Sequence, residues 1–269
     1  MTTAKPSSLI ALVRRPGPEL ERCALTWVRR QPIDVKRARE QHAAYVAALE
    51  ALRVEVRVLP RMPDHPDATF VEDAAVVLDE LAVIPRMGNE LRRVESDSLR
   101  AALAGERELL ELRPPTTLDG GDVIVADDVV YVGLSKRTNH AALKSLAHAL
   151  LDHGYMTKAV EVRGCLHLKT AFSYLGEDRA LVNPRWIHMA RMRGLETIEV
   201  HPEEPFGANV LAFGRRVLVS ASHPRTAEAL ARSGWRVQAL EIDELEKAEA
   251  GLTCLSVLFR RRGRRRSTP

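Results

Sequence analysis

The sequence predicts an α/β fold of five hairpin–helix–strand modules closed into a ring, a five-module α/β propeller. Three observations predict it. A unit of two β-branched runs, an amphipathic helix and one further strand recurs along the chain; glycines recur just after the helices; and the two ends of the chain supply the halves of a fifth unit. The length of 269 residues suits five such repeats and a short tail. A Rossmann arrangement is disfavoured, because the strands come in hairpins and no GxGxxG follows the first of them.

Taken in order, SLIALV (8–13) is a strand without a hairpin partner nearby. The helix Asp34–Leu52 turns Ala38, Tyr45, Leu49 and Leu52 inward, and VEVRVL (54–59) follows as a strand. AAVVLDELAVI (74–84) is a hairpin turning at Asp79-Glu80; a helix from Glu90 to Ala104, with Leu91, Val94 and Leu103 inward, stops at Gly105 before ELLELR. DVIVADDVVYVGL (122–134) turns at Asp127-Asp128, Asn139 opens a helix packed through Leu143, Leu146 and Leu150, and Gly154 precedes MTKAVEV. AFSYLGEDRALVN (171–183) turns at 176–178, Asn183-Pro184 predicts an N-cap and first helical residue, and Gly194 precedes ETIEV. NVLAFGRRVLVS (209–220) turns at Gly214-Arg215, Ser222 is placed to cap a helix, and Gly234 precedes WRVQAL. Glycine after four helices fits left-handed C-terminal caps. The last strand, TCLSVLF (253–259), also lacks a partner, and pairing it with 8–13 completes the fifth module and closes the ring. Residues 1–259 are thus expected to form one domain and 260–269 a disordered basic tail.

Charge and cysteine usage exclude other classes. The net charge is +4, yet residues 260–266 read RRRGRRR, and without those six arginines the body carries 34 basic against 36 acidic side chains. The run has no interleaved aromatic, so neither nucleic-acid binding nor a membrane surface is expected of it. No apolar run reaches the roughly 18 residues of a spanning helix and the start lacks a signal-peptide pattern, so a cytoplasmic protein is expected. Cys23, Cys165 and Cys254 show no CxxC spacing and no paired framework.

Equivalent positions in a radial repeat lie at similar distances from the axis. Immediately before the first strand of each hairpin stand Glu72-Asp73, Asp119, His167, Asn209 and Cys254, at intervals of 46, 48, 42 and 45 residues. Any one of these has an ordinary structural explanation, but five together place a thiol, an imidazole and several carboxylates around one axial pocket. Cysteine beside histidine suits covalent catalysis, the thiolate attacking and the imidazole moving protons. Extra anions would oppose a developing oxyanion and raise the thiol pKa, so an acyl substrate fits poorly. A guanidinium or amidinium fits well, because carboxylates pair with its N–H groups while sulfur attacks its carbon.

FVEDAAVVL (70–78), LDGGDVIVADDVVYVGLSKRTN (118–139), LHLK (166–169) and ELEKAEAGLTCLSVL (244–258) resemble, in the same order, the dimethylarginine dimethylaminohydrolases of the guanidine-modifying enzyme superfamily. The likeness runs from about Ala11 to Phe259 and implies the pentein propeller with pseudo-fivefold symmetry. It implies Cys254 as nucleophile, His167 as general acid and base, and Asp119 as the carboxylate supporting the histidine. Glu72 and Asp73 match guanidinium binders and Asp67 the substrate amino end. Arg92 and Arg137 match the holders of the α-carboxylate, Leu25 within 14–32 a lid residue, and Ala248 a pocket-lining backbone position. The chain has TCLS where some relatives have two adjacent cysteines, and the Arg-rich tail lies outside the family pattern.

The reaction so implied converts asymmetric dimethylarginine, or monomethylarginine, to citrulline through a Cys-bound thiouronium. No metal or organic cofactor is expected; trapped zinc would act as an inhibitor relieved by chelator. The expected partner is the small methylated-arginine substrate, and the chain is expected to be a monomer or homodimer. The alternative activity on the same scaffold is arginine deiminase, disfavoured because no helical insertion interrupts the modules. A catalytically silent binding protein is disfavoured by the intact Cys254, His167 and Asp119 set.

Overall fold

β-Branched runs separated by acidic or glycine turns form hairpins, and the segment after each hairpin must cross over to bring back a parallel strand. The computed structural model describes residues 9–192 and 194–261. β1 (Leu9–Val13) leads to α1 (Val35–Ala51) and β2 (Glu55–Val58); β3 (Val76–Val77), β4 (Leu81–Ile84), α2 (Glu95–Leu103) and β5 (Glu108–Glu111) form the next unit. The third comprises β6 (Val123–Ala126), β7 (Val129–Leu134), α3 (His140–Leu151) and β8 (Met156–Glu161). The single turn α4 (Leu168–Ala171) opens β9 (Phe172–Gly176), β10 (Arg179–Val182) and β11 (Glu196–Glu199). Then come β12 (Leu211–Phe213), β13 (Arg216–Ser220), α5 (Pro224–Arg232), β14 (Arg236–Leu240), the turn α6 (Asp243–Glu246) and β15 (Val257–Arg260).

These strands make five three-stranded sheets, each with an antiparallel hairpin and a third strand parallel to its middle one. The ring closes as the sequence requires: β15 pairs antiparallel with β1 from Leu9↔Arg260 to Leu12↔Val257, and β2 runs parallel on the other side. Buried clusters pack between neighbouring modules, such as Leu240, Ile242 and Leu245 with Tyr45 and Leu49, or Ile10, Leu12 and Val257 with Ile84 and Leu99. The first strands line an axial channel of about 260 Å³, to which Val77, Ile124, Tyr174, Ala212 and Leu258 each contribute from a different module. That wall carries the pseudo-fivefold symmetry.

Local structure departs from expectation in five places. The helix foreseen over 90–104 divides into a short turn at Glu90–Arg92, capped by Asn89, and α2. The division aims Arg92 inward and leaves Leu91 and Val94 at 83% and 41% exposure, so Arg92, Glu95, Leu99 and Leu103 form the buried stripe. Asn183 does accept from the Arg185 amide at 3.0 Å, as an N-cap would, but no α-helix follows. Arg163 N–H donates to Trp186 O and Val162 bridges Ile187, which ties this segment to β8 and leaves one turn at Met189–Met192. Ser222 gives its hydroxyl to Glu246 rather than capping α5, whose N-cap residue is His223. Gly154, Gly194 and Gly234 adopt positive φ, whereas Gly105 does not. At the C-terminus Arg260 belongs to β15 and Arg261 pairs with Glu55, so these two residues of the expected tail are part of the folded body; the rest of it, 262–269, lies outside the described residues. Among the described residues no helix is long and apolar enough to cross a membrane.

Candidate active site

Four of the five modules open with one helical turn, at Val71–Ala74, Gly120–Asp122, α4 and Thr253–Leu255. Asp119 and His167 are the extended residues just before two of those turns, so the chain reverses at the axis and projects their side chains inward. Gly120 permits the crossing: a Cβ there would lie 2.0 Å from the Glu72 carbonyl oxygen. Gly120→Ala therefore forces two axial turns apart, and a fall in melting temperature of several degrees with loss of activity is expected, read by calorimetry.

His167 sits 3.1 Å through Nε2 from Asp119 Oδ2 and 3.6 Å through Nδ1 from Asp73 Oδ1. Asp119 has no exposed surface and accepts from the Gly88 amide at 2.8 Å. Asp73 accepts from Arg92 Nη1 at 2.7 Å and from the Gly121 amide at 3.2 Å. Burial alone would push the imidazole down, but Asp73, the hydrogen bond to Asp119 and the charge of Asp122 outweigh it and raise His167 to about 9. The His167 and Arg92 cations hold the buried Asp73 carboxyl below its usual range. Cys254 shares a small cavity with His167, Asp73, Asp67, Arg92, Arg137, Phe70, Leu166 and Ala248. Burial, reinforced by Glu72 and Asp73, pushes its thiol well above the ordinary range, while the Gly251 amide at 3.4 Å opposes the shift. A neutral thiol and an imidazolium thus face one anion-lined pocket.

The family model for N,N dimethylarginine dimethylhydrolase, eukaryotic, matches residues 25–203, two thirds of the chain. The chain belongs to the dimethylarginine dimethylaminohydrolase family. It is 39% identical over 252 residues to the N(G),N(G)-dimethylarginine dimethylaminohydrolase of Streptomyces coelicolor, covering 93% of this chain and 96% of that one. Identity to the Pseudomonas aeruginosa enzyme of the same name is 33% over 230 residues, 84% of this chain and 90% of the relative. A solved structure of the Pseudomonas aeruginosa dimethylarginine dimethylaminohydrolase, a Cys-to-Ser variant complexed with citrulline, superposes with a TM-score of 0.88 at 30% identity, covering 95% of this chain and all of that chain. The pentein fold and hydrolase class follow from this membership.

Within this dimethylarginine dimethylaminohydrolase relative the residues singled out by sequence divide into two groups. Cys254, His167, Asp73, Asp67, Arg92, Arg137 and Ala248 wall one cavity. Asp119 lies directly behind the imidazole. Glu72 instead faces the axial channel; its Oε1 accepts from Lys169 Nζ at 2.7 Å and its Oε2 from the Thr253 hydroxyl at 2.6 Å. Leu25 packs against the first core cluster, and it is Ala24 that lines the cavity, donating its amide to Asp67 at 3.1 Å. Arg92 spends all three nitrogens on Glu95, Asp73 and the Asp67 and Phe70 carbonyls. Arg137 differs: its buried Nη1 has no hydrogen-bond partner and lies 3.7 Å from Asp119. Asn209 is a strut, joining Lys169 O, Thr253 Oγ1 and the Thr253 amide.

Sequence reasoning missed Lys169, whose ammonium pairs with Glu72, and Glu249. The Glu249 carboxylate accepts from the Thr26 amide at 2.9 Å, from the Trp27 amide and from the Val28 amide at 2.7 Å, and so holds the loop beside the cavity. Nothing in the charged run ELEKAEAG marks it, because its partners are more than 220 residues away. Glu249→Ala is expected to raise hydrogen exchange at amides 26–28 at least tenfold, with global stability little changed, as measured by exchange mass spectrometry.

Proposed function

We propose that this chain hydrolyses asymmetric dimethylarginine, and monomethylarginine, to citrulline with release of dimethylamine or methylamine. The observation that carries the reading is the buried Asp73–His167–Asp119 cluster facing the Cys254 thiol, an anionic pocket matched to a cationic reacting carbon. Asp67 suits the substrate ammonium, with Ala24 and Ala248 lining the wall beside it. Arg137 Nη1, which donates no hydrogen bond, suits the α-carboxylate, and Arg92 supplies fixed positive charge nearby. Asp73 faces the guanidinium from the cavity wall, Asp119 steadies the imidazole from behind, and Glu72 adds negative charge from the channel side.

A bound guanidinium offsets the anions that hold the thiol up, so Cys254 loses its proton to solvent as substrate arrives. The thiolate forms a C–S bond to the guanidinium carbon, giving a neutral tetrahedral adduct. The imidazolium of His167 gives its proton to the dimethylamino nitrogen, and the C–N bond breaks. A cationic S-alkylthiouronium remains on Cys254. Neutral His167 then takes a proton from water as the oxygen adds to that carbon; collapse breaks the C–S bond, the hydroxyl proton leaves, and citrulline departs. No step requires a metal or an organic cofactor.

The test is citrulline release from asymmetric dimethylarginine, monomethylarginine and arginine side by side. The proposal expects both methylated substrates to exceed arginine in kcat/KM. Arginine as the best substrate, with ammonia as co-product, would replace this reading with a deiminase.

A further inference from the structure

We propose that Asp122, which no step above uses, is a positioning residue that fixes Asp119, His167 and Arg137 relative to one another; the inference rests on the catalytic roles proposed for those three. Asp122 has no exposed surface and closes the turn that Asp119 begins. Its Oδ2 accepts from the Ser135 hydroxyl at 2.6 Å and the Thr138 hydroxyl at 2.7 Å, and its Oδ1 accepts from the Leu168 amide at 2.9 Å.

Each contact leads to a different functional side chain. Leu168 follows His167 directly. Thr138 Oγ1 accepts in turn from the Asp119 amide at 3.2 Å. Ser135 Oγ accepts from the Arg137 amide at 3.0 Å and so shapes the loop that presents the guanidinium. One carboxylate therefore sets three segments from three positions in the chain. The backbone of β7 makes room for it, because a Cβ on Gly133 would lie 2.7 Å from Asp122 Oδ1 and 2.8 Å from Leu168 Cβ.

Charge supports the geometry. Burial pushes Asp122 up to about 6 against the pull of His167 and its three donors. The groups facing His167 are Asp73, Asp119 and Asp122, with Arg137 near Asp119 and Cys254 across the cavity. Cys165, the other titratable neighbour of Asp122, is itself pushed up to about 12 and stays neutral.

A buried staple with no part in the reaction would lower stability alone, so the test separates the arms of the network. Ser135→Ala frees the Arg137 loop and is expected to raise KM roughly tenfold with kcat within about twofold. Thr138→Val removes the acceptor of the Asp119 amide and is expected to lower kcat about 10- to 100-fold with KM little changed. Asp122→Asn, which keeps shape and removes charge, should lower kcat/KM more than either and move the alkaline limb of the pH profile toward neutrality. The parent's own best guanidine substrate is used, so a wrong substrate assignment leaves the comparison intact. If the parent turns over no guanidine, the substrate reading fails, and the ring-proton resonances of His167 in the free protein become the readout. They are then expected to shift in Thr138→Val and Asp122→Asn. Should Asp122→Asn fail to fold, the two hydroxyl variants decide. Loss of melting temperature with kcat, KM and the His167 resonances all parental would overturn the proposal.

Discussion

Cys254→Ala is expected to reduce citrulline formation by roughly 10⁴-fold or more while leaving the fold intact. Removing the sulfur removes the atom that forms the C–S bond, and no neighbouring group replaces it. The cavity wall around Cys254 offers Asp73, Asp67, two arginines and His167, none of them a comparable nucleophile. Stability should hold or rise, because the thiol makes one long contact, to the Gly251 amide at 3.4 Å, and sits beside anions that oppose its ionisation. Circular dichroism and a melting curve on the same preparation check the second half. Activity within tenfold of the parent would rule out covalent catalysis at this residue.

His167→Asn is expected to cost about 10²–10⁴-fold in kcat, the usual worth of a positioned acid and base. The pH dependence is the sharper part. His167 is raised from 6.5 to about 9, so the imidazolium that protonates the leaving amine persists through neutral pH. Activity in the parent should fall as pH rises through about 9, and the variant should lose that limb. The same shift links to stability: the imidazolium's contribution is complete below about pH 6.5, where the unfolded chain is also protonated, and is lost as pH rises toward about 9. Melting temperature measured from pH 6 to pH 10 should therefore decline across that window in the parent and less in His167→Asn. A parental profile that is flat to pH 10 would contradict the assignment.

How much of this was legible in the sequence follows from the range of each interaction. The hairpins and α1 rest on nearest neighbours; Asp34 and Asn139 cap their helices through the amides of Arg37 and Ala142, three residues on. Ring closure was legible because two orphan strands needed each other. The axial positions of Asp73, Asp119, His167 and Cys254 followed from the repeat, since each module reverses at the same point. Periodicity failed where a polar group took the interior: Arg92 displaced Leu91 and Val94 to the surface because Asp73 and Glu95 needed a buried cation. Asn183-Pro184 carried a helix signal, but backbone pairing of Val162 with Ile187 overrode it. Lys169 and Glu249 act across 97 and more than 220 residues of chain, and nothing local distinguishes them from solvated charges. Asp122 was visible as the last acidic residue of LDGGDV, yet its three donors are set only by the folded loop 135–138 and by α4.

The central claim is that Cys254 carries the substrate's amidine carbon during turnover. Rapid acid quench of the protein with asymmetric dimethylarginine, followed by peptide mass spectrometry, tests it most directly. The account predicts a mass increase on the Cys254 peptide equal to asymmetric dimethylarginine less dimethylamine, appearing before citrulline and absent from Cys254→Ala. Citrulline formed at the parental rate with Cys254 unmodified at every quench time, or a productive adduct on Cys23 or Cys165, would contradict it.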